Sequence, residues 1–226
     1  MSTPRKLVIA IDGPAGSGKS TIAARVAKKL GYVNLESGAM YRALALKAME
    51  NNVMLDDGEA LRKLAENTTI RLEPGGEGNR VLLDGRDVSQ RIREADVTAA
   101  ASRVSIHPPV RQLMVVRQRA LGEDGGVVME GRDIGTAVFP NADVKIFLDA
   151  DATVRAERRV LQNGSPSPEE AQRVLADIAA RDKRDRTRSA SPLVPASDAV
   201  HVDTTHKSID QVVDEVEGIV RRVVRE

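Results

Sequence analysis

The chain has 226 residues, of which 41% are hydrophobic and 30% are charged, so it is long enough for one substantial core and a small additional subdomain. Lys and Arg number 34 and Asp and Glu 33, giving a formal net charge of +1, which argues against attraction to nucleic acid or an anionic membrane and requires any anion site to be built locally. Two Tyr, two Phe and no Trp leave little surface for stacking bases, and the absence of Cys excludes disulfides and thiolate metal sites and favours a cytoplasmic protein.

Five short, mostly apolar segments predict buried parallel strands. They are residues 7–11, 32–35, 127–129, 144–148 and 200–203. Several end in an acidic residue or glycine, which suits strands whose carboxyl ends face a site. Because helical patterns separate them, we expect an α/β fold with a doubly wound parallel sheet. The first segment is too short for a signal peptide, and no window approaches the roughly 20 apolar residues of a membrane span, so no membrane association is expected.

Three helices have clear start or stop signals. The first is predicted over 20–30, since apolar residues recur four apart and Gly31 follows as a C-cap. The second starts at a capping box over 167–170, and the third at Ser208, with Gln211 three residues later. The predicted apolar stripes are Ala171, Val174, Leu175 and Ile178 in the second helix, and Ile209, Val212, Val213, Val216, Ile219 and Val223 in the third.

The region 69–88 differs from this alternation of strands and helices. Residues 70–72 and 81–83 are predicted to form a hairpin joined by a flexible loop over 73–79. We expect an antiparallel insertion beside the main sheet, flanked by helical segments at 57–67 and 92–103. Substrate specificity often lies in such insertions.

Residues 13–20, G-P-A-G-S-G-K-S, match the phosphate-binding pattern G-x-x-x-x-G-K-[S/T] between a strand and a helix. In such a loop, backbone N–H groups surround the β-phosphate and the helix N-terminus adds its dipole. We expect Lys19 to bridge the β- and γ-phosphates and Ser20 to coordinate Mg²⁺. The predicted ATP-binding residues are Gly13, Pro14, Ala15, Gly16, Ser17, Gly18, Lys19, Ser20 and Thr21. The alternative is a glycine-rich loop in which G-K-S is incidental.

The loop motif alone leaves the class of P-loop protein open. A GTPase switch requires D-x-x-G and N-K-x-D elements, which the chain lacks. A helicase or transporter ATPase normally needs a larger assembly surface, so a small-molecule kinase is the preferred interpretation. Two alternatives remain: a small P-loop kinase with a different monophosphate or metabolite as acceptor, and an NTP-dependent regulator or RNA-binding switch.

Several arginines are placed to neutralise a second phosphate group. Arg42 comes just past the second predicted strand, and Arg132 with Asp133 comes after the third, where an α/β sheet opens its crevice. The alternative for these residues is a solvated surface loop. Arginines within 155–159, after the fourth strand, suggest a short lid or, equally, another surface segment.

A charged run at 181–188 continues the second predicted helix. Arg181, Asp185 and Arg188 are spaced i, i+4 and i+7, so they share one helix face and are able to present two guanidinium groups and a carboxylate to one ligand. The alternative is a solvated face with local ion pairs such as Arg181 with Asp185 and Asp182 with Arg186.

The remaining polar candidates have weaker patterns. The three histidines have no partner at metal-ligand spacing and are interpreted as surface or packing residues: His107, His201 and His206. Two strand-terminal acids, Asp149 and Asp203, either orient water around Mg²⁺ or cap the following turns.

Six motifs, taken in order along the chain, resemble those of the bacterial-type cytidylate kinase family. They are D-G-P-A-G-S-G-K-S (12–20), S-G-A-M-Y-R (37–42), G-R-D-I-G-T (131–136), K-I-F-L-D-A (145–150), R-D-K-R-D (181–185) and P-L-V-P-A (192–196). The resemblance covers nearly the whole chain. It implies a nucleoside monophosphate kinase unit over 1–226, with a core at about 1–60 and 104–226, an inserted acceptor-binding subdomain at about 61–103 and a lid at about 155–168.

The resemblance also implies the reaction: with Mg²⁺, ATP and CMP or dCMP give ADP and CDP or dCDP, in a monomeric, cytoplasmic enzyme. The CMP phosphate would be held by Arg42, Arg132 and Arg188, cytosine read by Ser102, Arg111 and Asp133, and the sugar held by Arg181 and Asp185, with Ser37 and Tyr41 lining the pocket. The implied catalytic residues are Lys19, Arg132 and the lid arginines Arg158 and Arg159, of which either meets the transferring group. Glu130 stands where the family pattern has aspartate. No protein nucleophile or base is needed, because the acceptor phosphate is already ionised.

Overall fold

A computed structural model describes residues 6–75, 78–163 and 167–225. The strands are β1 (Val8–Asp12), β2 (Val33–Glu36), β3 (Ile70–Gly75), β4 (Gly78–Leu83), β5 (Arg86–Asp87), β6 (Val127–Gly131), β7 (Val144–Asp149) and β8 (Val200–Asp203). The helices are α1 (Lys19–Leu30), α2 (Ser37–Glu50), α3 (Gly58–Glu66), α4 (Ala95–Val104), α5 (Pro108–Leu121), α6 (Ala152–Asn163), α7 (Pro168–Thr187) and α8 (Ile209–Arg225). Short helical turns lie at Arg91–Arg93 and Ile134–Val138.

The five predicted strands form one parallel sheet in the order β2-β6-β1-β7-β8. Alternate residues of β1 are buried on its two faces: Ile9 and Ile11 pack with α1 and α8, whereas Ala10 packs with β2, β6 and the turn after β6. This alternation is expected for a sheet that is covered on both sides. The predicted α/β fold with a doubly wound sheet is confirmed.

The register of the sheet brings three chain segments to the same edge. Asp12 at the end of β1 pairs with Gly131 of β6, and Glu36 at the end of β2 pairs with Glu130. The loop at 13–20, the start of α2 and the turn after β6 therefore leave the sheet side by side. In an open parallel sheet this edge is where ligands bind.

The predicted helix signals are confirmed at α1 and α8. Gly31 ends α1 with a left-handed φ of 67°, and the capping box at the start of α8 is formed, since Ser208 N donates to Gln211 Oε1 at 2.8 Å and Gln211 N to Ser208 Oγ at 3.2 Å. The prediction that Leu175 and Ile209 belong to the buried apolar stripes is wrong, because these residues are 37% and 46% exposed. α7 begins at Pro168, but the side chains of its predicted capping box at 168 and 170 lie outside the described residues.

The insertion has three antiparallel strands, β3-β4-β5, rather than a two-stranded hairpin. The predicted loop over 73–79 is wrong, because Pro74 pairs with Asn79 and the strands continue to 75 and from 78. The side chain of Asn79 attaches the insertion to β2: its Oδ1 accepts from Glu36 N at 2.8 Å and its Nδ2 donates to Asn34 O at 2.7 Å. The predicted boundaries of core, insertion and lid stay predictions.

Helices α6 and α7 form the side of the molecule where the lid is predicted. They share a small apolar cluster of their own, comprising Ala156, Val160, Val174 and Ile178 with Ala171 packed against it. In the part of the chain that the structure describes, no helix is long and apolar enough to cross a membrane.

Candidate active site

The loop at 13–20 has three glycines with positive φ, Gly13, Gly16 and Gly18, and the first two also lie close to other atoms. Gly13 has φ +150°, and a Cβ there would lie 2.0 Å from the carbonyl oxygen of Leu148. Gly16 has φ +79°, and its Cβ would lie 3.0 Å from Arg155. The first turn of α1 follows with no side-chain cap, so its first N–H groups lack partners within the helix. The loop therefore has the geometry of an anion site.

Lys19 lies in this first turn and is only 5% exposed. Its Nζ donates to Pro14 O at 2.6 Å and lies 3.3 Å from Ser17 Oγ. Burial, and after it the charge of Arg132, lowers the pKa of Lys19 to about 7, whereas Glu130 opposes the shift. The ammonium group is thus poorly compensated by the protein and is suited to a phosphate.

The side chains of Ser20 and Glu130 place oxygen atoms next to each other beside the loop. Ser20 Oγ donates to Glu130 Oε1 at 2.9 Å, and burial, followed by the nearby Glu36, raises the pKa of Glu130. Among the described residues, no three His, Cys, Asp or Glu side chains are grouped to hold a metal ion. This donor set fits Mg²⁺, which usually takes one or two protein oxygens and completes its shell with substrate phosphates and water.

A buried network joins the turn after β6 to the end of α7. Arg111 Nη2 lies 2.5 Å from Asp133 Oδ2, and Arg188 Nη2 lies 3.5 Å from Asp133 Oδ1. Arg132 Nε donates to Asp185 Oδ2 at 3.0 Å, and Arg188 Nη1 lies 3.8 Å from Asp185 Oδ1. Arg188 therefore bridges two carboxylates that are each only 5% exposed.

These contacts contradict the alternative of a solvated helix face. Asp182 is buried and pairs with Arg155 of α6 at 2.7 Å rather than with Arg186. Although burial opposes the shift, Arg132 and two further arginines hold the pKa of Asp185 below its usual value. Each carboxylate of this segment therefore pairs with an arginine from another part of the chain, Asp182 with Arg155 and Asp185 with Arg132.

A second group of arginines, Arg42, Arg132 and Arg159, acts electrostatically on Arg181. Arg42 pairs with Glu36, and the Nε atom of Arg181 is buried with no hydrogen-bond partner. Burial, and then the charge of Arg132, lowers the pKa of Arg181 to about 10, and Arg42 and Arg159 contribute to the shift. A guanidinium group keeps its charge at neutral pH, so the cluster holds excess positive charge suited to a phosphate.

The remaining predicted acceptor residues lie on α2, α4 and α5. The Arg111 guanidinium lies 5.4 Å from the centre of the Tyr41 ring. Ser102 Oγ accepts from Arg184 Nε at 3.2 Å. Ser37 Oγ donates to a carbonyl oxygen of β6 at 2.7 Å.

The predicted lid arginines lie in three different surroundings. Arg155 Nη1 donates to Ala15 O of the phosphate loop at 2.9 Å. Arg158 donates to the Oγ1 and carbonyl oxygen of Thr204, at 3.0 and 2.6 Å. Arg159 is the one whose charge acts on the arginine cluster. The prediction that Arg158 or Arg159 meets the transferring phosphoryl group stays a prediction.

The histidines and strand-terminal acids have packing and turn roles. His107 Nε2 lies 2.8 Å from Leu55 O, and the ring of His201 packs against Phe147 with 5.5 Å between centroids. Asp149 Oδ1 accepts from the next backbone N–H at 2.9 Å, and Asp203 Oδ1 accepts from the N–H two residues later at 2.8 Å. Both acids cap the turns that follow them.

The cytidylate kinase family model matches residues 9–222 of this chain. The chain belongs to the cytidylate kinase family. Cytidylate kinase from Geobacillus sp. (strain WCH70) is 50% identical over 213 residues, which are 94% of this chain and 95% of that protein. Cytidylate kinase from Enterococcus faecalis (strain ATCC 700802 / V583) is 48% identical over 218 residues, 96% of each chain. The resemblance read from the sequence motifs is confirmed, and with it the prediction of a nucleoside monophosphate kinase.

A solved structure with a different name has the same fold. A gluconokinase from Sinorhizobium meliloti 1021 aligns with a TM-score of 0.50 at 17% identity, covering 99% of this chain and 96% of that chain. At this identity the similarity shows the fold alone.

Several residues of this cytidylate kinase family site were missed from the sequence. Glu36, the partner of Arg42, ends β2, and Asp12 ends β1 immediately before the phosphate loop. An acid at the end of a buried strand was the available signal for both. Arg184, the partner of Ser102, carried no signal beyond its place in a charged run.

Proposed function

We propose that this member of the cytidylate kinase family transfers the γ-phosphoryl group of ATP to CMP or dCMP, giving ADP and CDP or dCDP. One observation carries the proposal. The buried Asp133 carboxylate is held by Arg111 and Arg188, directly beside arginines that act electrostatically on Lys19 of the phosphate loop. Asp133, which is able to recognise a base, thus lies beside positive charges for the acceptor phosphate and for the ATP phosphates.

The donor half consists of the loop at 13–20 and the start of α1. Backbone N–H groups there bind the β-phosphate, and Lys19 supplies a buried positive charge for the β- and γ-phosphates. Ser20 and Glu130 would hold Mg²⁺, which when bound supplies further positive charge to the phosphate oxygens. Arg155 fixes the loop from α6 through its bond to Ala15 O.

The acceptor half uses the excess positive charge of the arginine cluster. Arg42, Arg132 and Arg188 bind the acceptor phosphate, while Arg181 and Asp185 hold the sugar. Because the phosphate oxygen is already ionised at neutral pH, the side chains orient two anions and neutralise their repulsion, and no side chain needs to accept a proton. Bidentate guanidinium groups are suited to both tasks.

Asp133 accounts for the choice of base. Cytosine has an amino donor at the position where uracil has a carbonyl acceptor, and an ionised carboxylate accepts a hydrogen bond only from the first. Arg111 donates to the acceptor edge of cytosine, and Ser102 adds a hydroxyl from α4. Uracil places a carbonyl lone pair against the carboxylate where cytosine offers an amino donor, and this disfavours UMP.

The oligomeric state and the cellular location of the enzyme stay predictions. The monomeric state rests on the family resemblance, and the cytoplasmic location rests on the resemblance and on the absence of cysteine from the sequence.

The experiment measures ADP formation with CMP, dCMP, UMP and AMP as acceptors. We expect CMP and dCMP to be preferred, and Asp133→Asn to reduce the CMP-to-UMP ratio of kcat/KM by about 10- to 100-fold, the range for loss of a hydrogen bond to a charged group. Asp185→Asn is the matched control, because it also removes a buried carboxylate paired with arginines but one on the sugar side. It should weaken CMP and UMP alike. Equal use of UMP or AMP by the wild type would refute the proposal.

A further inference from the structure

Asp12 is a buried carboxylate for which the proposed mechanism has no use. It is the last residue of β1 and is 5% exposed. Its Oδ1 accepts from Ile134 N at 2.8 Å and its Oδ2 from Gly135 N at 2.7 Å. Burial raises the pKa of Asp12 to about 6, and the two backbone N–H groups oppose that shift. At neutral pH the group is therefore ionised, with both oxygens available as acceptors.

The two N–H groups belong to the helical turn Ile134–Val138 after β6. Val138 N donates to Asp133 O at 3.2 Å, and Phe139 N to Ile134 O at 2.6 Å, so the first N–H groups of the turn need partners from outside it. Such groups are commonly satisfied by an aspartate side chain at the N-cap. Asp133 occupies that position, yet its side chain makes no capping hydrogen bond. Its carboxylate instead faces Arg111 and Arg188.

We propose that Asp12 is a positioning residue: it caps the turn at Ile134–Val138 in place of Asp133 and thereby keeps the Asp133 carboxylate directed at the acceptor site. The inference rests on the proposed function, in which Asp133 reads the base. It also explains why a carboxylate is kept in a buried position that disfavours its charge. Functional sites are where such costs are expected.

The position of Asp12 links the two substrates. Its backbone pairs with Gly131 of β6, and the next residue is Gly13, whose Cα closely approaches the Leu148 carbonyl and so fixes the start of the phosphate loop. The turn that carries Asp133 is therefore held by a side chain at the origin of the ATP site. The side chain that positions Asp133 and the loop that binds the ATP phosphates therefore both start from the carboxyl end of β1.

Replacing Asp12 by asparagine leaves one oxygen acceptor and places an amide NH₂ against the other N–H group. Asp133 is then the nearest carboxylate able to cap the turn, and capping draws it away from Arg111. We expect Asp12→Asn to lower kcat/KM for CMP by about 10- to 100-fold, as for loss of a hydrogen bond to a charged group, and to reduce the CMP-to-UMP ratio. KM for ATP should change far less.

The test is a double-mutant cycle with the full-length enzyme, comparing wild type, Asp12→Asn, Asp133→Asn and the double variant by kcat/KM for CMP and UMP. If Asp12 acts through Asp133, adding Asp12→Asn to Asp133→Asn should cost no more than about a further 2-fold, the scatter of independent additivity. Asp143→Asn is the matched control. Asp143 Oδ2 accepts from Val8 N at 2.8 Å at the opposite end of β1, so its loss should leave base selectivity unchanged.

Asp12→Ser provides a second variant if Asp12→Asn fails to fold, because serine is smaller and introduces no buried amide; the same loss of selectivity is expected. Losses in Asp12→Asn and Asp133→Asn that multiply in the double variant would overturn the inference, as would an unchanged CMP-to-UMP ratio in Asp12→Asn. These outcomes are distinct from failure of the proposed function, which would appear as a wild-type enzyme without preference for CMP.

Discussion

Replacing Lys19 by methionine should stabilise the nucleotide-free protein while it abolishes turnover. Burial lowers the pKa of Lys19 from its ordinary value of 10.5 to about 7, and at about 1.36 kcal/mol per unit this is roughly 5 kcal/mol of unfavourable free energy as an upper limit. Methionine has a similar length and no charge. The bond from Lys19 Nζ to Pro14 O is lost, but Ser17 Oγ still donates to that oxygen at 3.1 Å. We expect a net gain of about 1–2 kcal/mol, or a Tm increase of about 2–8 °C.

The lowered pKa of Lys19 also predicts how the stability gain of Lys19→Met depends on pH. Below pH 7 the lysine is protonated in both the folded and the unfolded chain, so the whole cost of burying the charge is present. Between pH 7 and 10.5 the folded chain releases the proton that the unfolded chain retains, and the cost declines as pH rises. The Tm gain of Lys19→Met should therefore be larger at pH 6 than at pH 9.

Thermal unfolding at both pH values and ADP formation with saturating ATP and CMP provide the assay. Turnover should fall by at least about 10²–10³-fold, the effect of removing one electrostatic stabiliser of a transition state. Lys28→Met, at an exposed position of the same helix, is the control and should change neither quantity much. A variant that keeps wild-type turnover, or that unfolds at a lower temperature at both pH values, would refute the reasoning.

Two further changes test the loop and the metal ligands. Gly13→Ala should destabilise the protein by at least about 2 kcal/mol, because its Cβ would lie 2.0 Å from Leu148 O at φ +150°; Gly18→Ala, with no atom within 4 Å of its Cβ, should cost less in the same urea titration. Glu130→Gln should raise the Mg²⁺ concentration for half-maximal activity by about 10-fold, as expected when a group at a metal site loses its charge, and an unchanged Mg²⁺ dependence would exclude Glu130 from the metal site.

The sheet could be predicted from the sequence, because each of its strands is a short apolar segment bounded by turn or helix signals. α2 could not, since nine of its fourteen residues are buried and the helix therefore shows no one-sided apolar stripe. β5 has only two residues, Arg86 and Asp87, which is too short for an alternating pattern. Its pairing with β4 is decided by tertiary contacts.

The candidate site likewise has a part that could be predicted from the sequence and a part that could not. The phosphate loop is contiguous, so its motif alone located Lys19 and Ser20. The acceptor site depends on pairs that are far apart in sequence, such as Arg111 with Asp133, 22 residues apart, and Asp12 with Gly135, 123 residues apart. No spacing rule links such residues. The charged run at 181–188 gave two interpretations for the same reason, because the burial that decides between them is a property of the folded chain.

The pKa shifts at this edge of the sheet share one physical cause. Burial raises the pKa of Asp12 and of Glu130 and lowers that of Lys19, so in each case the folded chain disfavours the charged form. A protein selected only for stability would place neutral side chains there. Two of these charges have proposed partners that folding does not supply, phosphate for Lys19 and a divalent cation for Glu130, whereas Asp12 is compensated by two backbone N–H groups. When a ligand binds only the folded state and pairs with such a charge, it relieves the unfavourable free energy of burying that charge, and this relief contributes to its affinity. The same charges that lower the stability of the chain therefore favour the binding of an anion and a cation side by side.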